Sequence, residues 1–552
     1  MPQPTEPVVV RHFRHILLWP LQLMPAADGR QVLRHWERLG DTDSPWVPVE
    51  DEFGAADGLR PRHYGEFVTF LPAVQRFLYG EGRGDDASVR VFRRGDVARV
   101  RLGLKQGAAP IELTVAHIDL YFFHDIDVVI LTAEVFADDL DLAVVQEILF
   151  RFGRSYPASW DEDGSGSHCP ASVEWLDAAG MVLTQADYAD RDKYLDFVGQ
   201  ERAAAISADW EYLLAPLVHH AGTRAGALRF RQLEYDRMPV MSFLAVDDPG
   251  RLSRGDFVRL ALATRSGPSD RLPFSATSLR RFEHEFCYDR YWNTGDPEAA
   301  NTRLLCSGHA FVMVGEAGRR FVTDLESGLL AQFRHQYFLV GLIAHFHKAA
   351  LLMFGDRLGG AVSRLDIRDA DSVKAFKRTI RTTFETFLRF THRCWFHEVS
   401  IQAPAKALFG LWRGHLGTDP LYDTLRREVQ DMAQYLDSDG LRRQANTVVR
   451  LTVVTTFGLI ATVTTGFLGM NLLAAADDPL PERVVWFLLA FAGTTLLTLY
   501  TLMISKRLSD MLEMLSDERL PLRLKLTVFA RAWKFGFSRP AKEVPGVKGR
   551  EL

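Results

Sequence analysis

The residues best placed to do chemistry lie near the C-terminus. Gly469-Met470-Asn471 follows directly on an uncharged run from Leu451 to Leu468, LTVVTTFGLIATVTTGFL. The Asn471 carboxamide carries an acceptor oxygen and never ionises. Repeated by symmetry into a ring with nearby backbone carbonyls, it can accept hydrogen bonds from the waters of a hydrated cation. Such a mouth suits an ion that gives up its waters reluctantly and prefers oxygen ligands, as Mg2+ does. A lone asparagine at a helix end also reads as a cap or turn residue. Leu451, Thr455, Leu459, Thr462 and Gly466 recur at steps of 4, 4, 3 and 4, so a helix carries them on one face. That face offers hydroxyls, small residues and leucines without charge, a lining for a hydrated ion with a dewetting constriction. The same residues also fit threonines bonded back to their own helix and glycines that permit close packing. Asp477, Asp478 and Glu482 follow. Around a symmetric opening they would concentrate cations, although an exposed loop is often acidic without any such role.

Two apolar helices must position these residues. Eighteen residues at the helical rise span roughly 27 Å, close to the hydrocarbon thickness of a bilayer. A second uncharged run, Val484 to Ile504, spans roughly 31 Å by the same rise. The alternative for either is a buried core helix. Arg442, Arg443 and Arg450 precede the first run, and Lys506, Arg507, Arg519, Arg523, Lys525, Arg531 and Lys534 follow the second. The connection 469–483 holds Arg483 as its one basic residue against three acids. By the positive-inside rule both termini face the cytoplasm and the short connection faces outward. The apolar stretch 15–24 contains Pro20 and lacks a cleavage site, so it does not read as a signal peptide.

The chain of 552 residues is longer than one compact domain usually is. Its 47% hydrophobic and 24% charged residues exclude a disordered or fibrous chain. With 65 Lys+Arg against 70 Asp+Glu the net charge is −5, and no nucleic-acid partner is expected. Cys169, Cys287, Cys306 and Cys394 form no CxxC pair, which excludes a disulfide framework and a zinc ribbon. Alternating runs across 89–135 predict an antiparallel meander, with further strands at 226–234 and 239–246 and a hairpin over 309–325. The stretch 156–170 reads as an exposed loop. Helical spacing takes over after Gln332, with helices over 333–355, 371–396 and 401–415. A stalk helix is predicted to start with Asp419 as N-cap and Pro420 in the first turn. Leu421, Leu425, Val429, Met432 and Leu436 form its apolar stripe, which either meets copies of itself or packs on the chain's own domain. Gly440 and Asp437–Asp439 mark a place where this helix is weakest.

The tripeptide at the outer end of the first of two C-terminal spans resembles the GMN signature of the CorA family of divalent-cation channels. VVRLTVV at 448–454 is similar to that family's entry to the membrane, and Thr462 and Gly466 fall where it carries a pore threonine and a packing glycine. Pro481-Glu482 echoes the family's loop Pro-Glu, several residues later than usual. Leu468 stands where an aromatic usually precedes GMN, and Ile460 where a proline is common. The resemblance covers roughly residues 445–507 and leaves the long N-terminal part without a family motif. It implies an α+β cytosolic domain with a long stalk helix, plus a two-helix transmembrane domain, assembled as a homo-oligomeric, pentameric channel in the cell's inner (plasma) membrane. The expected divisions are 1–332 (α+β), 333–447 (helical region and stalk), 448–504 (pore, outer loop 469–483) and 505–552 (basic tail).

The resemblance implies passive uptake of divalent ions, chiefly Mg2+ with Co2+ and Ni2+, through a filter of Gly469, Met470 and Asn471. The expected partners are further copies of the chain, the bilayer and the cations themselves. No resident cofactor is expected, with Mg2+ as cargo and candidate regulator. Asp138, Asp139 and Asp141 could take part in Mg2+ sensing, or serve the start of a helix. Two alternatives stay open: a Zn2+ transporter of the same superfamily, and a non-conducting sensor or enzyme anchored in the membrane. His392 and His397-Glu398 do not make HExxH, there is no Walker GxxxxGK[ST], and His345 and His347 point to different faces of a helix. His168-Cys169 lies in a loop without matching ligands. No enzyme activity is expected.

Overall fold

The computed structural model describes residues 7–24, 35–39, 44–49, 61–81, 88–222, 228–268, 271–293, 295–296, 300–366, 369–469 and 479–482, with seven further helical positions between 484 and 500. The chain divides into two units, 1–430 and 431–552.

The first unit is built on one sheet of fourteen described strands. They are β1 (Val9–Met24), β2 (Trp46–Pro48), β3 (Val89–Arg94), β4 (Arg99–Gly103), β5 (Ile111–Phe123), β6 (Val128–Asp141) and β7 (Ser172–Leu176). The rest are β8 (Val182–Gln185), β9 (Leu217–His219), β10 (Leu228–Gln232), β11 (Val240–Val246), β12 (Cys287–Tyr291), β13 (Thr302–Cys306) and β14 (Ala310–Glu316). The main path runs β12-β13-β14-β11-β1-β6-β5-β4-β7-β8. The apolar stretch 15–24 therefore lies in the central strand. Pro20 falls between the part of β1 that pairs with β11, up to Leu17, and the part that pairs with β10, from Leu21. A residue without an N–H costs no ladder bond in such a gap.

The expected meander is antiparallel, but its order differs. β3 pairs with residues 118–123 of β5 and β4 with residues 111–114, so the two short strands lie end to end along one long one. Arg94 at the end of β3 bonds Asp96 in the link at 2.6 and 2.8 Å, and β3 and β4 do not pair directly. The expected hairpin over 309–325 is also corrected. β14 pairs back on β13 through a turn at Gly308, whose φ is 78°, while 320–323 is a short helix.

One face of the sheet shares a core with the helices Leu142–Arg151 and Ala208–Leu214. Phe13, Leu17, Trp19 and Leu21 of β1 meet Val145, Ile148, Phe152 and Trp210 there. On the other face lies the core helix Phe338–Ser363, with Phe346 stacked on Phe123 at 3.9 Å. The helices Ala370–Arg393 and Ala403–Leu416 pack on its far sides. A helix enclosed in this way can be apolar all round. The segment Leu329–Ser363 is long and apolar enough to cross a membrane, yet 78% of its apolar window is buried in the fold. The helices Phe338–Ser363, Ala370–Arg393 and Ala403–Leu416 thus belong to the same unit as the strands. All four cysteines are free, and burial pushes the thiols of Cys169, Cys306 and Cys394 up to about 12.

Candidate functional site

The helix that presents the candidate ion-path residues runs from Thr418 to Gly469 without a break, 52 residues including the weak place at Gly440. It starts one residue before the expected cap. Gly417 takes a left-handed φ of 63° and closes the preceding helix, so Thr418 begins the next and Asp419 sits in its first turn. The Asp419 carboxylate meets the Arg413 guanidinium. Leu425 and Val429 are 3% and 2% exposed within the chain, and Tyr422 stacks on Trp395 at 4.5 Å. The first part of the apolar stripe is therefore covered by the chain's own domain.

In the second unit, Leu451, Thr455, Leu459, Thr462 and Gly466 are all helical, as their spacing predicts. Leu451 is 64% exposed, and Thr455, Thr462 and Gly466 are exposed as well. The hydroxyls donate to their own helix: Thr455 Oγ1 to the Leu451 carbonyl at 2.9 Å and Thr462 Oγ1 to the Gly458 carbonyl at 2.8 Å. A donating hydroxyl keeps lone pairs to offer outward, and a cation's waters are donors. Back-bonding and ion contact are therefore compatible. Gly469 is the last residue of the helix. Met470, Asn471, Asp477 and Asp478, the side chain of Leu459 and the tail 505–552 lie outside the described residues. Glu482 is helical and exposed, its N–H donating to the Pro479 carbonyl at 2.9 Å. Val448, Leu480, Val485, Leu488 and Leu496 are all more than half exposed in the single chain.

Asp138, Asp139 and Asp141 lie at the end of β6. Asp138 sits 3.0 Å from His12 Nδ1 and Asp139 accepts from Arg11 at 2.9 Å. Asp141 occupies the N-cap position of helix Leu142–Arg151 without a side-chain cap bond. Among the described residues no group of three His, Cys, Asp or Glu side chains is arranged to hold a metal ion. His345 and His347 are both buried. His347 Nε2 lies 2.6 Å from the Cys394 carbonyl, and desolvation pulls its pKa to about 3.

Sequence reading missed a buried chain of charges. Arg93 bonds Asp119 at 2.8 and 2.9 Å, His117 lies between Asp119 and Glu134, and Arg334 bonds Glu134 at 2.6 Å. Asp119 and Glu134 are 0% and 1% exposed. The two carboxylates raise His117 to about 9 against the opposing effect of burial. His117 and Arg334 hold Glu134 down at about 2, although burial acts the other way. The signal was present: His117 and Asp119 stand two apart in the apolar C-terminal part of the strand, so they share a face.

No protein family matches this chain, and no curated protein matches it. Among solved structures, the complete structure of the CorA magnesium transporter from Methanocaldococcus jannaschii matches at 15% identity. The match covers 50% of this chain and 93% of that one, with a TM-score of 0.18. A score that low establishes no shared fold.

Proposed function

We propose that the chain is a homo-oligomeric membrane channel for divalent cations, chiefly Mg2+, with Gly469, Met470 and Asn471 at its outer mouth. The observation that carries the reading is the helix Thr418–Gly469. It leads out of the folded N-terminal unit, passes through the charge-free stretch 451–468 and ends at the first residue of the Gly-Met-Asn tripeptide. Exposed Leu451, Leu480, Leu488 and Leu496 need lipid or neighbouring copies to cover them, and this supports insertion and assembly.

In this mechanism the ion keeps its inner waters. Copies of Asn471 and nearby carbonyls accept hydrogen bonds from those waters, and Thr462 and Thr455 accept others farther in. The leucines of the same face close the path by dewetting. A divalent ion moving inward gains about 4.6 kcal/mol per 100 mV of inside-negative potential, so the membrane potential alone suffices to drive uptake.

The test is flux of Mg2+, Co2+ and Zn2+ into proteoliposomes, comparing the native chain with Asn471→Ala. Mg2+ flux that falls sharply in the variant supports the filter. Equal flux in both removes Asn471 from it. Zn2+ flux that requires a proton gradient selects a zinc transporter, and absence of flux for every ion removes the channel reading.

A further inference from the structure

A pocket of about 330 Å³ opens in the first unit, and no residue of the proposed ion path lines it. Its lining includes Glu234, Tyr235, His309, His345, Lys348 and Leu352. His345, Lys348 and Leu352 fall at steps of 3 and 4 on the core helix, so one face of that helix forms a wall. Glu234 follows strand β10, and His309 stands in the β13–β14 turn beside Gly308. Tyr235 is 58% exposed, with its ring 6.2 Å from that of His309.

Ser307 and His415 of the lining are used by the fold, the former in the β13–β14 turn and the latter 2.8 Å from the Glu285 carbonyl, whereas the charged groups are not. Glu234 and Lys348 are close enough to influence each other electrostatically, yet they form no ion pair with each other or with another described residue. His345 is 1% exposed with Nδ1 unpartnered, and His309 Nε2 is likewise buried without a partner. Burial raises the Glu234 carboxyl, and the Lys348 ammonium only partly offsets this. Desolvation lowers both histidines, His345 to about 4, so each neutral ring offers one donor and one acceptor. An acid and a base that no described residue pairs, set on one open cavity, are free to meet a ligand that carries both charges.

We infer that this pocket binds a small zwitterion, an α-amino acid or close analogue, with its carboxylate on Lys348 and its ammonium on Glu234. The volume is at the low end for small-molecule sites, which favours a ligand of that size. One fixed charge of each sign matches a ligand with one of each. The imidazoles of His309 and His345 form part of the lining, and Leu352 provides an apolar wall.

The experiment is isothermal titration calorimetry on the full chain in detergent micelles, with the twenty common α-amino acids as probes. The expected result is binding of one or a few of them. Lys348→Met and Glu234→Gln should each weaken it about tenfold or more, since each removes a charge-assisted contact. N-acetylated and C-amidated forms of the bound amino acid should fail on the native chain, a control that needs no folded variant. Three outcomes would overturn the site: no binding by any probe, affinity unchanged in both variants, or blocked forms that bind as well as the parent. Ion flux enters none of these readings, so the site stands or falls separately from the channel.

Discussion

His117 Nε2 lies 2.8 Å from Glu134 Oε2, joining strands β5 and β6 by an ion pair that the sheet almost encloses. Nδ1 of the same ring sits 3.1 Å from Asp119. Because the two carboxylates raise the folded pKa to about 9, above the ordinary value near 6.5, the folded state holds this proton more tightly. Stability from the group is fully present below about 6.5 and is lost as pH rises through about 9. The native chain should therefore unfold at lower urea between pH 7 and 9.5, by up to about 3 kcal/mol. His117→Gln should flatten that slope. An unchanged slope in the variant would assign the pH dependence to other groups.

Asp209 presents the opposite case. Its carboxyl is fully buried, and burial pushes it up to about 7 against the opposing pull of Ser207, the Trp210 N–H and Trp175. An acid whose folded pKa is raised costs stability as pH climbs from the unfolded value near 4 to about 7. Asp209→Asn removes that titration, and chemical denaturation should find the variant more stable at pH 8 by about 1–3 kcal/mol. Below pH 4 the advantage should vanish. A variant less stable at both pH values would show that the carboxylate has a partner worth keeping.

Leu425 and Val429 are buried in the single chain, so truncating them should act on the folding of the first unit. Leu425→Ala should destabilise by about 2–5 kcal/mol, read from thermal unfolding of the full chain in detergent. The mass of the assembly, from light scattering with detergent subtracted, should not change. Dissociation without loss of unfolding stability would instead place this stripe between copies.

Much of the architecture was legible because it rests on local periodicity. Apolar alternation marked β3 to β6, and 3.6-residue spacing marked the three helices after Gln332. Topology was less legible, since nothing local in RRGD reveals that β3 and β4 share β5 end to end. The apolar helix Phe338–Ser363 shows a limit of composition: the same hydropathy suits a membrane span and a helix enclosed by a sheet and two helices. That Leu451, Thr455, Leu459, Thr462 and Gly466 are helical was legible from spacing, whereas the donor role of the hydroxyls depends on backbone geometry. The sequence marked His345 only as a helix residue on a different face from His347, and only tertiary structure brings Lys348, Glu234 and His309 beside it.

Thr462 offers a direct test of hydroxyls that donate inward and accept outward. Thr462→Ser keeps the hydroxyl that now donates to the Gly458 carbonyl, and Thr462→Val removes it at nearly constant volume. On the proposed path, Mg2+ flux in proteoliposomes should fall roughly 3–10-fold in the valine variant, the scale of one lost hydrogen bond. The serine variant should stay near the native rate. Equal rates in all three would turn this residue away from the ion.

The acids beyond the tripeptide should act through long-range attraction, and salt separates that from direct contact. Exposed Glu482, with Asp477 and Asp478, would raise the local cation concentration at a symmetric opening. Screening shortens the reach of these charges from about 10 Å at 0.1 M salt to about 3 Å at 1 M. The triple change Asp477→Asn, Asp478→Asn and Glu482→Gln should therefore slow Mg2+ entry at low ionic strength, with little effect at high salt. Asn471→Ala should impair entry at both, because contact with the ion's waters is local. If the triple variant loses the same fraction of flux at both salt concentrations, its acids touch the ion directly and belong with the filter.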